Sequence, residues 1–321
     1  MFADDTNIFV QAQSREAVYE SANKILDSLY RYMKANLLHI NLKKCCYMYF
    51  EPTKSRTIYN LSAVDKADNI SLKINEIEIN EVEETKFLGV IIDKTLSWLP
   101  HIKYLNKKLK CNTGMLNRIK DKIPSSLHKT LYHTLFESDL VYGITVWGGI
   151  SLNKLNPIFV TQKMCMRILF RDKATYLDKF KTCVRTRSID AQKLGAEFYT
   201  KEHTKPLFNE HNILVVQSLY YYHIILSLYK IMKTHTPISL YSCFTKSRRK
   251  ETLIITPQHS HNFVFKASSL WNEIRNVAKF STISDFSASL SQIKIWMREL
   301  LHQRQMLGDQ EEWSDENFAL S

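Results

Sequence analysis

Met1-Phe2-Ala3-Asp4-Asp5-Thr6-Asn7-Ile8-Phe9-Val10 sets two adjacent carboxylates between an aromatic–small pair and an apolar run that reads as a strand. Magnesium takes hard oxygen ligands. A rigid turn carrying two acids can aim them at a metal pair that clamps the attacking and leaving oxygens of a phosphoryl transfer. Paired acids are equally at home at turns and helix starts, where they cap backbone or face water. The dipeptide therefore gains meaning only from the hundred residues that follow it.

Those residues alternate between strand and helix patterns. Ser14 is placed to cap a helix beginning at Arg15. Val18, Ala22, Ile25, Leu26, Leu29, Met33 and Leu37 then recur at three- and four-residue steps, which makes one apolar face. Cys45 to Phe50 is short, aromatic and strand-like, and Pro52 to Asp68 is polar and loop-like. Ile70 to Ile74 and Ile77 to Ile79 alternate apolar and polar residues about Asn75-Glu76, a hairpin pattern. Lys86 to Ile92 reads as a buried strand, with Gly89 marking a close backbone approach.

From Trp98 the period becomes helical. Ile102, Leu105, Leu109, Met115, Leu116 and Ile119 are interleaved with Lys103, Lys107, Lys108, Lys110, Arg118, Lys120 and Lys122, and Pro124 ends the run. A further helix, capped by Ser125 or Ser126, is expected to run through Leu131, Leu135 and Phe136 to Trp147 and to stop at Gly148-Gly149. The remainder reads as mainly helical, with a strand-like patch at Phe263-Val264-Phe265 and an acidic, frayed end from Asp309 to Glu316. The fold class is α+β.

Composition narrows the function classes. A chain of 321 residues that is 45% hydrophobic can bury a sizeable core, and with 7 Gly and 7 Pro it is no low-complexity polymer. The net charge of +12 favours an anionic partner, either nucleic acid or a membrane surface. Cys45, Cys46, Cys111, Cys165, Cys183 and Cys243 are scattered, without zinc-site spacing, so the thiols are expected to be reduced and intracellular. His259 and His261 read as surface or strand residues. Ile213 to Met232 is the most apolar long stretch, but it contains Gln217 and His223 and reads as a buried helix rather than a membrane span.

In order and spacing these segments resemble the reverse transcriptases of non-LTR (LINE-type, jockey-like) retrotransposons. The resemblance is carried by Phe2-Ala3-Asp4-Asp5-Thr6, Asn41-Leu42-Lys43-Lys44-Cys45, Lys86-Phe87-Leu88-Gly89-Val90 and Leu96-Ser97-Trp98-Leu99-Pro100-His101. Tyr142-Gly143-Ile144-Thr145-Val146-Trp147-Gly148, Gln162-Lys163-Met164-Cys165-Met166-Arg167, Pro206-Leu207-Phe208 and Ile213-Leu214-Val215-Val216 extend it over nearly the whole chain. It implies a partial polymerase palm (short antiparallel strands plus a helix) over 1–97, a helical thumb over 98–150 and a mainly α-helical C-terminal domain over 151–321.

The same resemblance implies roles. Asp4 would ligate magnesium with Asp5 beside it, and Lys44 would act near the incoming nucleotide; Cys45 stands where relatives often carry Thr. Phe87, Leu88 and Gly89 correspond to a hairpin that grips the primer end. Lys103, Lys107, Lys108, Lys110 and Arg118 would bind nucleic acid. The partners would be an RNA template and a DNA primer, with no membrane. Physics agrees with the last group: a helix that follows a duplex should turn cations toward phosphates and apolar residues toward its own bundle. Phe87 and Trp98 read as core residues rather than base-stacking platforms.

The family's fingers and a further metal-binding Asp precede the aspartate pair. The polypeptide alone is therefore expected to be an inactive partial copy, with association through the exposed edge of the Ile8–Val10 strand. Two other readings stand beside this one. The chain could be a non-catalytic RNA- or DNA-binding module, or a helical protein that docks a partner through its Ile213–Met232 face.

Overall fold

The computed structural model describes residues 6–50, 71–170, 204–246, 253–254, 263–275 and 290–307. It is mainly helical with a few short strands, an α+β chain, and divides into two compact units, Met1–Pro100 and His101–Ser321.

In the first unit, α1 (Arg15–Ala35) begins where its cap predicts: the Ala17 N–H donates to Ser14 Oγ at 3.2 Å. Its buried side is Tyr19 and Ala22, packed with Leu72, Ile74 and Ile79, and Leu26 and Tyr30 lie half-buried against them. Ile25 and Leu37, expected on that face, are exposed. Leu37 lies past the end of the helix, and Tyr19, not counted on the expected face, is buried, its ring meeting Tyr47 and Tyr49. Asn23 pins the helix to the strands, its amide donating to the Ser71 carbonyl and accepting from the Lys73 N–H.

The strands are two to four residues long. β1 (Cys46–Tyr47) pairs in parallel with β4 (Asn80–Glu81), so only part of the Cys45–Phe50 segment is extended in a ladder. β2 (Lys73–Ile74) and β3 (Ile77–Glu78) form the expected hairpin. Asn75 and Glu76 both take positive φ, 50° and 63°, as a two-residue turn of the right twist demands. Two expectations are corrected. Ile8 to Val10 forms no strand, and Phe9 is 82% exposed. The segment has no ladder partner among the described residues, and without one an apolar run stays irregular. Lys86 to Ile92 is not one strand but a hairpin, β5 (Glu84–Phe87) and β6 (Val90–Asp93), reversing at Leu88 and Gly89 with φ of 45° and 85°.

The second unit opens with α2 (Leu99–Ile119), which ends before Pro124 as expected. The helix expected from Ser125 to Trp147 is broken instead. It passes through α3 (His128–Leu131), a π-helical turn (Tyr132–Glu137) and α4 (Ser138–Val141), then reverses at Gly143 into α5 (Ile144–Trp147). Gly143 sits at φ 62°, where a side chain would be strained. No serine side chain caps this segment: Ser125 and Ser126 lie inside a 3₁₀ turn (Ser125–Leu127) whose N-cap is Pro124.

α6 (Leu152–Phe170), α7 (Lys205–Glu210), α8 (Val216–Thr234) and α9 (Ile238–Tyr241) follow, then β7 (Thr245–Lys246) paired with β8 (Leu253–Ile254), α10 (Phe263–Arg275) and α11 (Leu290–Leu307). α8 is the hub, with α4, α5, α6, α9, α10 and α11 packed on it. Its buried residues include Leu219, Ile224, Ile225, Leu228 and Tyr229. The face from Ile213 to Met232 is thus covered within its own unit, which corrects the reading in which it docks another chain. No helix among the described residues is long and apolar enough to cross a membrane. Phe263-Val264-Phe265, expected as strand, opens α10, because Val264, Ala267, Ser268 and Trp271 are buried at helical spacing.

Candidate nucleic-acid interface

The entry to α2 is built by one carboxylate. Asp93 is 7% exposed and accepts from Thr95 Oγ1 and from the Ser97 and Trp98 N–H groups at 3.0 and 2.9 Å. Burial pushes its pKa up, but these donors outweigh it and hold the carboxyl below its usual range. The turn brings Leu96 and Trp98 to positive φ and delivers the chain into the helix. His101 in the first turn is buried, its ring 5.5 Å from Trp147, and burial holds its pKa below the usual histidine value.

α2 has two opposed sides. Ile102, Leu105, Leu109, Asn112, Thr113 and Leu116 are buried. Lys103, Lys107, Lys110 and Arg118 are exposed and fall on the opposite stripe, with Gly114 between the last two. An open groove of about 470 Å³ along this stripe is lined by Lys103, Asn106, Lys107, Lys110 and Cys111. Asn106 Oδ1 accepts from Thr161 of α6 at 2.6 Å, which fixes the edge of the groove. Lys108 lies on the flank, where its ammonium meets Asp139 at 2.7 Å; that hydrogen bond raises its pKa. Asn112 also donates to Asp139, and to the Leu135 carbonyl.

The other sequence-derived candidates are placed separately. Lys44 is exposed and closes a short 3₁₀ turn (Leu42–Lys44) before β1. Leu88 is 46% exposed at the β5–β6 tip, with Phe87 half-buried behind it. A leucine at positive φ is uncommon and marks a strained position. Asp4 and Asp5 lie outside the described residues, as do Cys183, the 52–68 loop, the 179–187 and 248–250 basic runs, His259, His261 and the acidic end. Cys45, Cys46, Cys111, Cys165 and Cys243 are free thiols. Among the described residues no group of three His, Cys, Asp or Glu side chains could hold a metal ion. Those residues therefore do not fit a magnesium centre, and no chemical step is assigned to them.

Several of the later motifs turn out to hold the frame behind α2. Gln162, fully buried, donates from its amide to Tyr132 Oη at 2.8 Å and to the Leu214 carbonyl at 2.9 Å, and its oxygen accepts from the Val216 N–H. One side chain thus ties α6 to the π-helical turn and to the start of α8. Trp147 Nε1 donates to the Tyr142 carbonyl. A Cβ on Gly148 would lie 2.6 Å from both the Ile144 carbonyl and the Tyr220 ring, and one on Gly149 would lie 2.7 Å from Tyr220 Oη. Asn106, Asp93 and Gln162 were missed as candidates. Asn106 and Gln162 are polar residues within helix-period patterns, and Asp93 stands two to five residues ahead of Thr95, Ser97 and Trp98 in a turn-forming order.

No family model matches the chain, and no solved structure is a significant match. Curated relatives do match. An RNA-directed DNA polymerase from mobile element jockey of Drosophila melanogaster is 22% identical over 169 residues, 52% of this chain and 17% of its own length. A probable RNA-directed DNA polymerase from transposon BS of the same fly is 22% identical over 217 residues, 66% and 22% respectively. A Pol polyprotein from type-1 retrotransposable element R1 of Bradysia coprophila is 26% identical over 151 residues, 46% and 14%. The chain spans about a fifth of the length of the first two. Over about half its length or more, this chain is similar in sequence to RNA-directed DNA polymerases of retrotransposable elements, at 22–26% identity.

Proposed function

We propose that the chain is a palm-and-thumb portion of an RNA-directed DNA polymerase and that the outer face of α2 holds the phosphates of a template–primer duplex. The observation that carries this reading is the two-sided helix: Lys103, Lys107, Lys110 and Arg118 exposed along one stripe, with the opposite stripe buried. Each phosphate neutralised releases counterions and adds salt-dependent affinity. Lys103, Lys107 and Lys110 advance about 4.5–6 Å per step along the helix axis and Arg118 lies about 12 Å further on, a row that can follow the phosphates of one strand. In this reading the thumb spans 98–150, the Phe87-Leu88-Gly89 tip meets the primer end, Lys44 lies near the incoming nucleotide, and Asp4 and Asp5 hold magnesium. Lys108, paired with Asp139, serves the frame more than the ligand.

The exposed stripe of Lys103, Lys107, Lys110 and Arg118 also supports a second reading, a module that holds RNA or DNA without chemistry of its own. Both are tested by fluorescence anisotropy with an RNA–DNA template–primer duplex, titrated with salt in the presence and absence of magnesium. Lys103→Glu/Lys107→Glu is expected to weaken binding and to flatten the dependence of log K on log salt by about 2. Unchanged affinity and slope would refute the α2 assignment. Primer extension on an RNA template above an Asp4→Asn control would favour the polymerase reading and would overturn the expectation that the polypeptide alone is inactive.

A further inference from the structure

A second set of cations lies on α8 and α11 of the same unit. α8 is buried except at His223, Ser227, Lys230, Lys233 and Thr234. His223, Ser227, Lys230 and Thr234 recur at four- and three-residue steps and so form a single narrow stripe. α11 packs along α8 through buried Ile293, Met297 and Leu301, leaving Ser291, Lys294 and Arg298 one turn apart on one flank.

That flank faces the α8 stripe. The Arg298 guanidinium lies 5.7 Å from the Tyr222 ring centre and 3.8 Å from Glu137. The His223 ring titrates low chiefly through burial, and Lys230, Arg298 and Lys294 all push it the same way against Glu137. Arg298 and Glu137 thus meet at this seam beside Tyr222, and Glu137 is already shared with His133. Lys230 and Lys294 are exposed, and neither has an ion-pair partner among the described residues.

We infer that the seam between α8 and α11, lined by His223, Ser227, Lys230, Ser291, Lys294 and Arg298, is a second contact for the phosphate backbone of a nucleic-acid strand. Cations alternating with serine hydroxyls supply the donor types that phosphate oxygens accept from. From His223 to Thr234 the α8 stripe runs about 16 Å, a straight track that fits a file of phosphates. An interfacial membrane helix would need a broad apolar face beside the charges; here the apolar side of α8 and Ile293, Met297 and Leu301 of α11 are buried, and beside the charges Ile295 alone among the described large apolar side chains of these two helices is exposed. The seam shares its class of ligand with the α2 face but none of its residues.

The test uses the full chain, a fluorescein-labelled RNA–DNA template–primer duplex with a single-stranded RNA overhang and rising salt, comparing Lys230→Gln/Lys294→Gln with Lys103→Gln/Lys107→Gln. Both pairs are exposed, and thermal melting checks that each variant keeps its fold. The seam variant is expected to bind several-fold more weakly at low salt, with a log–log salt slope shallower by about 1.4 for two lost contacts. An unchanged affinity and slope in the seam variant, with weakening confined to the α2 variant, overturns the seam and leaves the α2 reading standing. Weakening confined to the seam variant supports the seam and refutes the α2 face. RNA affinity retained by the seam variant, together with lost sedimentation on phosphatidylserine vesicles, overturns the seam as a nucleic-acid site and reassigns it to a membrane. Absence of RNA binding by the unsubstituted chain overturns both.

Discussion

Gln162 is the residue on which the helical unit turns. Its three hydrogen bonds satisfy a buried hydroxyl, a carbonyl and an N–H from two other segments. Gln162→Met keeps the length of the side chain but leaves those groups unpaired. It is expected to destabilise by about 3 kcal/mol, read as a lower midpoint in urea unfolding; a shift equal to that of an exposed substitution would show that the bonds matter little. Two glycines give opposite expectations. Gly114 lies on the exposed stripe of α2 with nothing within 4 Å of an added Cβ, so Gly114→Ala should stabilise by about 0.5–1 kcal/mol through helix propensity. Gly148→Ala forces a Cβ onto the Ile144 carbonyl and the Tyr220 ring and should destabilise by about 1–3 kcal/mol. Melting both variants side by side checks the pair, and equal shifts would refute the packing argument.

Among the elements, the Asp93 turn decides how α2 begins. Its carboxyl is held below the usual range, so the native chain takes up this proton less readily than the unfolded one. The stabilisation is complete above the ordinary carboxylate value of about 4 and drains away as pH falls through the depressed native value. Asp93→Asn should be less stable than the parent at neutral pH, and the gap should close on acidification. Denaturant unfolding across pH 3 to 7 measures it, and a gap independent of pH would refute the assignment. In the same stretch, the β5–β6 reversal explains why an apolar run was misread. Seven residues of strand-forming character carry two strands when a Leu-Gly pair can take positive φ, and periodicity alone does not distinguish one buried strand from two short ones.

At the scale of the molecule, stability is concentrated in α8, the helix on which six others pack. Its backbone amides should be the slowest to exchange in the chain, at the level of global unfolding of the second unit. Hydrogen exchange with mass spectrometry reads this directly, and faster exchange in α8 than in α2 would contradict the hub assignment. The cations take the opposite place. With a net charge of +12, the exposed lysines of α2 and of the α8–α11 seam remain at the surface while the apolar faces beneath them close the core. Charge on helices held rigid by burial presents a fixed pattern to a polyanion, and both proposed contacts draw on that.

Local chemistry was sufficient for much of this. Ser14 caps α1, Asn75-Glu76 turns a hairpin, Pro124 bounds α2, and the lysine spacing separates an outer from an inner face. Each depends on residues within one or two turns of one another, so the amino-acid order alone determines it. The similarity to retrotransposon polymerases likewise resides in the amino-acid order. Tertiary structure alone decided which face of α1 is buried, that Ile8 to Val10 has no ladder, that Phe263 opens a helix, and that Lys108 spends its charge on Asp139. The same holds for Gln162 and the α8–α11 seam, whose partners stand 30 or more residues apart in sequence. Burial and pairing across such distances are set by which surfaces meet, a property of the assembled chain that no local pattern encodes.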